Sequence, residues 1–293
     1  MLKKVLSSSL LILGVLGLSV SLLGEFTSLG DYKSSEPRNW EKFDPQLVIE
    51  TPDLDSLHRK VNSLIKQSSN QAIKQSSNQA IKQSSEQEKM LIIYDVVVKR
   101  FTHSDEAKHN LFSNWILWLL GEVSAPFSYI KQPEILVKKG HSALCSEQSY
   151  LLQTLAEKQN IRTRAVGLNG HVVMEAWYEN DWHLYDSDLE VIPFVDGELI
   201  LSLDELAKSP ELVSEFYKGR GTSEYTQSIV DIIASREDNS FTSYPRLVLF
   251  EWKTNVLFYF EKLANILKWL MPGMFLFFGL RFYFKKGEKA CAV

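Results

Sequence analysis

The sequence predicts an α+β domain held between two membrane-crossing helices. Apolar residues pile up at both ends of the 293-residue chain. In its middle, Tyr150, Leu151, Leu155 and Ala156 recur at helical spacing, followed by runs that alternate as strands do. The dipeptide Asn180-Asp181 sits between two of those runs, which is hairpin chemistry. A hydrophobic content of 45% with 23% charged residues describes a globular protein. The net charge of −4 leaves no basic surface, so nucleic acid is excluded as a partner class. Cys145 and Cys291 are too few and too far apart for a disulfide framework. In an oxidising compartment Cys145 would stand alone, a liability unless it is used or buried.

In chain order, residues 1–24 open with Lys3 and Lys4 and run apolar from 5 to 23. They read as a signal anchor, or as a signal peptide with Ser19-Val20-Ser21 as its cleavage-like pattern. Residues 25–89 read as a linker containing one short helix, with Leu54, Leu57, Val61 and Leu64 at helix spacing. Its end, residues 66–89, is an octapeptide repeat: KQSSNQAI twice, then the decayed copy KQSSEQEK. Eight residues leave each copy rotated about 80° from the last. Ile73 and Ile81 therefore hold no common stripe, and the repeat reads as a solvated helix or disordered spacer.

The domain is expected over residues 90–240. Met90, Tyr94, Val97 and Phe101 trace an amphipathic helix, which ends at His103-Ser104-Asp105. Residues 111–123 (LFSNWILWLLGEV) are too short to span a bilayer and read as a core helix beneath the cysteine helix. Alternatively, Trp115 and Trp118 present one aromatic face of a substrate groove. Later come a strand-and-turn pair around Asp196-Gly197, a capping box at Ser202 and Glu205, and helices through Tyr217 and from Thr222 to Ser235. Residues 236–245 read as a linker and 241–262 as a juxtamembrane segment. Residues 263–284 read as a transmembrane helix, with Lys268 and Arg281 placed to snorkel and Pro272-Gly273 to kink it. Residues 285–293, with Lys285, Lys286 and Lys289, form a basic tail. The positive-inside rule then puts both termini in the cytoplasm and the body outside the cell membrane, periplasmic or extracellular. Cys291, third from the end, is no prenylation box.

Three residues carry the chemistry. Cys145 falls at or just before the first turn of its helix, where the dipole and free N–H groups favour a thiolate and can receive an oxyanion. In the strand from His171, the residues His171, Val173, Glu175 and Trp177 share a face. In the next strand Trp182, Leu184 and Asp186 share one, opposite His183 and Tyr185. The hairpin brings Asp186 beside His171. A thiol, an imidazole base and a carboxylate that orients it make a cysteine-hydrolase constellation. Each residue alone has a blander role: a buried inert cysteine, a satisfied core histidine, a turn-capping aspartate. Zinc on Cys145, His141, His171 and His183 lacks the paired short spacings of structural sites, so neither metal nor cofactor is expected. Glu147 and Glu175 read as structural partners or pocket carboxylates, and Trp177 and Trp182 as core or pocket lining.

Residues 139–188 resemble the catalytic core of the transglutaminase-like superfamily of papain-like folds, nearest its peptide:N-glycanase branch. There Cys-x-Glu opens a helix and His-Val-x-x-Glu-Val precedes Trp-x-x-x-Asp-Pro. Here the residues are Cys145-Ser146-Glu147, His171-Val172-Val173-Met174-Glu175-Ala176 and Trp182-His183-Leu184-Tyr185-Asp186. Ala143 stands where the family usually has glycine, and Ser187 where it has proline. The resemblance implies a cysteine helix packed on an antiparallel sheet that carries the histidine and aspartate. It also implies thioester acyl transfer on a peptide or protein amide of the cell envelope, with water or an amine as acceptor. Bacterial members are more often peptidases or amidases than cross-linkers. The fold also serves relatives that bind without catalysis, so a membrane-tethered module for envelope assembly or surface-polymer export is the alternative.

Overall fold

The structure, a computed structural model, describes residues 2–75, 85–197, 199–235, 240–244 and 252–284. The elements begin with helices α1 (Leu2–Phe26), α2 (Pro45–Glu50), α3 (Leu54–Gln75) and α4 (Glu86–Arg100), then strand β1 (Thr102–His103). Next are α5 (Leu111–Gly121), α6 (Pro133–Lys139), β2 (Ser142–Ala143) and α7 (Cys145–Glu157). Strands β3 (Arg162–Leu168), β4 (His171–Tyr178), β5 (Asp181–Tyr185), β6 (Phe194–Val195) and β7 (Leu199–Ile200) follow. The chain continues with α8 (Leu203–Leu206), α9 (Pro210–Phe216), α10 (Ser223–Ala234), β8 (Ser240–Tyr244) and α11 (Trp252–Phe284).

The chain divides into two compact units, one of Met1–Lys33, Lys108–Gln132 and Val256–Val293, the other of Ser34–Ala107 and Pro133–Asn255. In the first, Lys4–Phe26 and Val256–Phe284 are long and apolar enough to cross a bilayer. They pack antiparallel along a seam of small residues. Ser7 Oγ donates to the Gly279 carbonyl at 2.8 Å and Ser21 Oγ to that of Lys268 at 3.1 Å. A Cβ on Gly14 would fall 2.6 Å from the Leu276 side chain, so glycine is what lets the backbones approach. The expected core helix at 111–123 is corrected here. It forms as α5, capped by Asn110, but packs on α1 within the first unit, whereas the cysteine helix belongs to the second. Its apolarity matches the apolar unit, and its few polar groups are met there: Asn114 Nδ2 donates to Asn265 Oδ1 at 3.1 Å.

The second unit is built on an antiparallel sheet in the order β5-β4-β3-β8. Glu175 lies opposite Leu184 and Trp177 opposite Trp182, so the hairpin forms with the expected faces, but its turn residues are Glu179 and Asn180, both left-handed, and Asp181 already pairs with Tyr178 in β5. Val166, Leu168, Val173 and Leu184 join one apolar cluster with Leu203, Leu206 and Val213, Tyr217 and Ile229 of the α8–α10 segment. The alternate residues Ala165, Met174, Ala176 and Tyr185 are also buried. On that side α4 and α7 pack, with the rings of Tyr94 and Tyr185 6.0 Å apart.

Three sequence boundaries move. Leu57 and Val61 are fully buried, and α3 continues through the first octapeptide, so this unit takes in residues from Ser34 where the sequence set its start at 90. Residues 76–84 of the repeat lie outside the described residues. Part of the expected linker, residues 240–244, is strand β8, because β3 offers an open edge that its backbone can complete. The last helix begins at Trp252, within the expected juxtamembrane segment. Cys291, Lys285, Lys286 and Lys289 lie outside the described residues.

Fully buried Arg100 braces the approach to Cys145. It donates to Thr51 Oγ1 at 3.1 Å and to the carbonyls of Val137 and Gly140 at 2.9 and 3.1 Å. These acceptors compensate its burial, which pulls the guanidinium down to about 10.

Candidate active site

Cys145 is the first residue of α7 and is half-buried. The residues before it are held as strand β2, parallel to β1, with Thr102 opposite Ser142 and His103 opposite Ala143. Glu147 closes the first turn by accepting from the Leu144 N–H at 3.0 Å. That is a capping role, and it leaves the first amides of the helix without an intrahelical acceptor.

His171 opens β4, and its Nε2 lies 2.8 Å from Asp186 Oδ2. Asp186 is fully buried. The Tyr217 hydroxyl donates to the same oxygen at 3.0 Å, and the N–H groups of Asp188 and Leu189 donate to the other at 3.2 and 3.1 Å. The Tyr94 hydroxyl donates to the Asp186 backbone carbonyl at 3.0 Å. Burial first, then the charge of Asp186, holds both phenols well above their ordinary range, so both stay donors. With Nε2 engaged by Asp186, the other imidazole nitrogen is left for Cys145. Burial disfavours the charged imidazole, but the charge and hydrogen bond of Asp186, and then those of Cys145, push His171 well above its usual value.

A second carboxylate lies beside the thiol. An Asp188 oxygen, Cys145 Sγ and a ring nitrogen of His171 all lie within 4.8 Å of one another. Asp188 Oδ1 is 2.5 Å from His103 Nδ1, and His103 Nε2 is 3.5 Å from the exposed Asp105. Burial opposes a charged His103; the hydrogen bond and charge of Asp188 outweigh it and raise His103. Arg38 acts electrostatically on His103 and on Tyr225, and Tyr225 also feels His171.

Cys145, His171 and Asp188 are close enough to hold a divalent ion together, but His171 is bonded to Asp186 and Asp188 to His103. The other histidines of the sequence's conceivable zinc set are engaged elsewhere. His183 bonds the carbonyls of Ile200 and Tyr178, and His141 stacks on Phe43.

The remaining candidates separate from the thiol. Glu175 is fully buried, 2.6 Å from Arg164 and accepting from the Leu203 N–H at 2.8 Å. Burial raises it despite Arg164. Trp177 and Trp182 form an edge-to-face pair at 5.1 Å under Arg162 and Arg164. Trp177 lies six residues along β4 from His171, roughly 20 Å at a strand's rise. Sequence reasoning missed His103, Asp188, Tyr94 and Tyr217. The spaced pairs His103-x-Asp105 and Asp186-x-Asp188 were the only local signal.

No family model matches this chain, and no curated protein matches it.

Proposed function

We propose that the chain is a membrane-anchored thiol acyl-transfer enzyme that acts on amide bonds, as a peptidase or amidase before a cross-linker. The observation that supports this best is a thiol at a helix N-terminus facing an imidazole whose far nitrogen is tied to a fully buried carboxylate. The transglutaminase-like resemblance of residues 139–188 points the same way. His171 takes the Cys145 proton and the thiolate sulfur bonds to the amide carbonyl carbon. The N-terminal amides of α7 stabilise the oxyanion. The C–N bond then breaks, His171 returns the proton to the leaving amine, and a thioester remains for water or a second amine. The two apolar helices anchor the enzyme, with both termini cytoplasmic and the catalytic unit outside the cell membrane, meeting envelope peptides and proteins.

The test is iodoacetamide labelling of the full chain in detergent, with Cys291→Ser so that only Cys145 reports. Rapid labelling at neutral pH that collapses in His171→Ala is expected. Slow labelling indifferent to His171 would overturn the reading and leave a non-catalytic envelope module.

A further inference from the structure

The apolar unit contains a helix that neither spans a bilayer nor hides. α5 has 11 residues, where a crossing needs about 20, yet Leu119 and Val123 expose 55% and 85% of their surface and Trp118 37%. Its first turn is fixed to both candidate spans. A Cβ on Gly24 would lie 1.8 Å from the Phe112 carbonyl, so the last turn of α1 meets the α5 backbone directly. Lys268 Nζ donates to the Ser113 carbonyl at 2.9 Å, and Trp115 Nε1 to that of Lys268 at 3.3 Å. Gly24 stands near the end of Lys4–Phe26, and Lys268 lies in the first half of Val256–Phe284. α5 therefore starts at the level where α1 leaves its apolar stretch and where Lys268 Nζ stands 4.0 Å from Glu25 Oε2.

The excursion also returns to its origin. Lys108 and Tyr129 form an antiparallel bridge, and His109 N–H donates to the Ser128 carbonyl at 2.8 Å. Lys108 and Lys131 each hold an ammonium over the Tyr129 ring, 5.2 and 5.4 Å from its centroid. Tryptophan on an exposed apolar helix, with tyrosine and lysines at its foot, is the composition of a lipid–water boundary.

We propose that residues 110–128 are a membrane-interface element, whose exposed apolar side lies in the headgroup–acyl boundary of the leaflet where α1 and α11 emerge. The occupant is lipid. This rests on α1 and α11 being spans, and the experiment separates the two claims.

The full chain, with Cys145→Ser and Cys291→Ser, is reconstituted in phosphatidylcholine/phosphatidylglycerol vesicles and labelled with bimane at one site. Leu119→Cys and Val123→Cys test the element, Val15→Cys the first span, and Glu211→Cys supplies a water-exposed reference. Labels at 119 and 123 should lose the iodide quenching seen at 211. Lipids with a nitroxide high on the acyl chain should quench them more than lipids with one placed low, and the order should reverse at 15. Iodide quenching at 119 and 123 equal to that at 211, with 15 protected, overturns the interface element alone. Shielding from both iodide and lipid nitroxide overturns it too, because protein then covers the patch. Iodide quenching at 15 overturns the span reading and the proposal with it. If one of the two test variants fails to fold, the other carries the result.

Discussion

Two buried imidazole–carboxylate pairs lie in different units of this protein, and only one of the two faces a thiol. His109 Nε2 is 2.9 Å from Glu261 Oε1, much as His171 Nε2 is 2.8 Å from Asp186 Oδ2, and all four side chains are nearly inaccessible. The difference is on the far side of each ring. His109 spends Nδ1 on the Tyr32 hydroxyl at 3.3 Å, and Glu261 takes the Lys131 N–H with its second oxygen, so that network is closed. His171 instead turns toward the half-exposed thiol of Cys145. Burial and pairing are common to both histidines; what sets His171 apart is a thiol within reach.

The contrast breaks most sharply under alanine substitution of each histidine. His171→Ala should slow acyl transfer by about 10⁶-fold, as loss of a triad's histidine base does. His109→Ala should leave Cys145 labelling unchanged; equal losses in both variants would erase the distinction. His109→Ala should show itself in thermal unfolding instead. It strands Glu261, and breaking a buried pair costs about 3 kcal/mol. An unchanged melting temperature would mean that the network is not closed as described.

Tyr217→Phe removes one donor from Asp186 and should cost about 2 kcal/mol, the range for a hydrogen bond to a charged group. Labelling should slow less than in His171→Ala, and an equal slowing would make Tyr217 as central as the imidazole. The pH dependence has a definite sign. His171 is raised in the folded state, so its stabilising contribution is complete below the unfolded imidazole value of about 6.5. It fades as pH rises through the raised folded value. The stability gap between wild type and His171→Ala should therefore narrow toward alkaline pH, and a gap that widens would reverse the assignment. The smallest effect belongs to Asp105→Asn. Asp105 is 81% exposed and 3.5 Å from His103, so less than about 0.5 kcal/mol is expected. A larger loss would make the outer histidine more than an accessory.

The parts of this arrangement that can be read from the sequence are those with short-range causes. Helical spacing after Cys145, strand alternation from His171 and a turn around Asn180 are local, so the hairpin and the meeting of His171 with Asp186 follow from neighbouring residues. The Asp188–His103 pair joins residues 85 apart, and no periodicity announces a contact of that kind. The Tyr94 and Tyr217 hydroxyls are hidden for the same reason, since each reads as a core aromatic on its own helix pattern. α5 was misplaced because apolarity says that a helix must be covered without saying by what. Strand β8 was missed because short polar–aromatic runs become strands when an unpaired edge is offered to them.

The seam between α1 and α11 has a consequence of parity. Because Ser7 meets Gly279 while Ser21 meets Lys268, the two helices run in opposite directions. If both cross a bilayer, as their length and apolarity allow, two opposed crossings make an even count, and the chain that leaves after Phe26 comes back at Val256 on the face from which it left. An epitope placed just ahead of α1 and another just behind α11 would then share one compartment, whichever it is. A protease added on the opposite face would meet the whole intervening chain and neither tag.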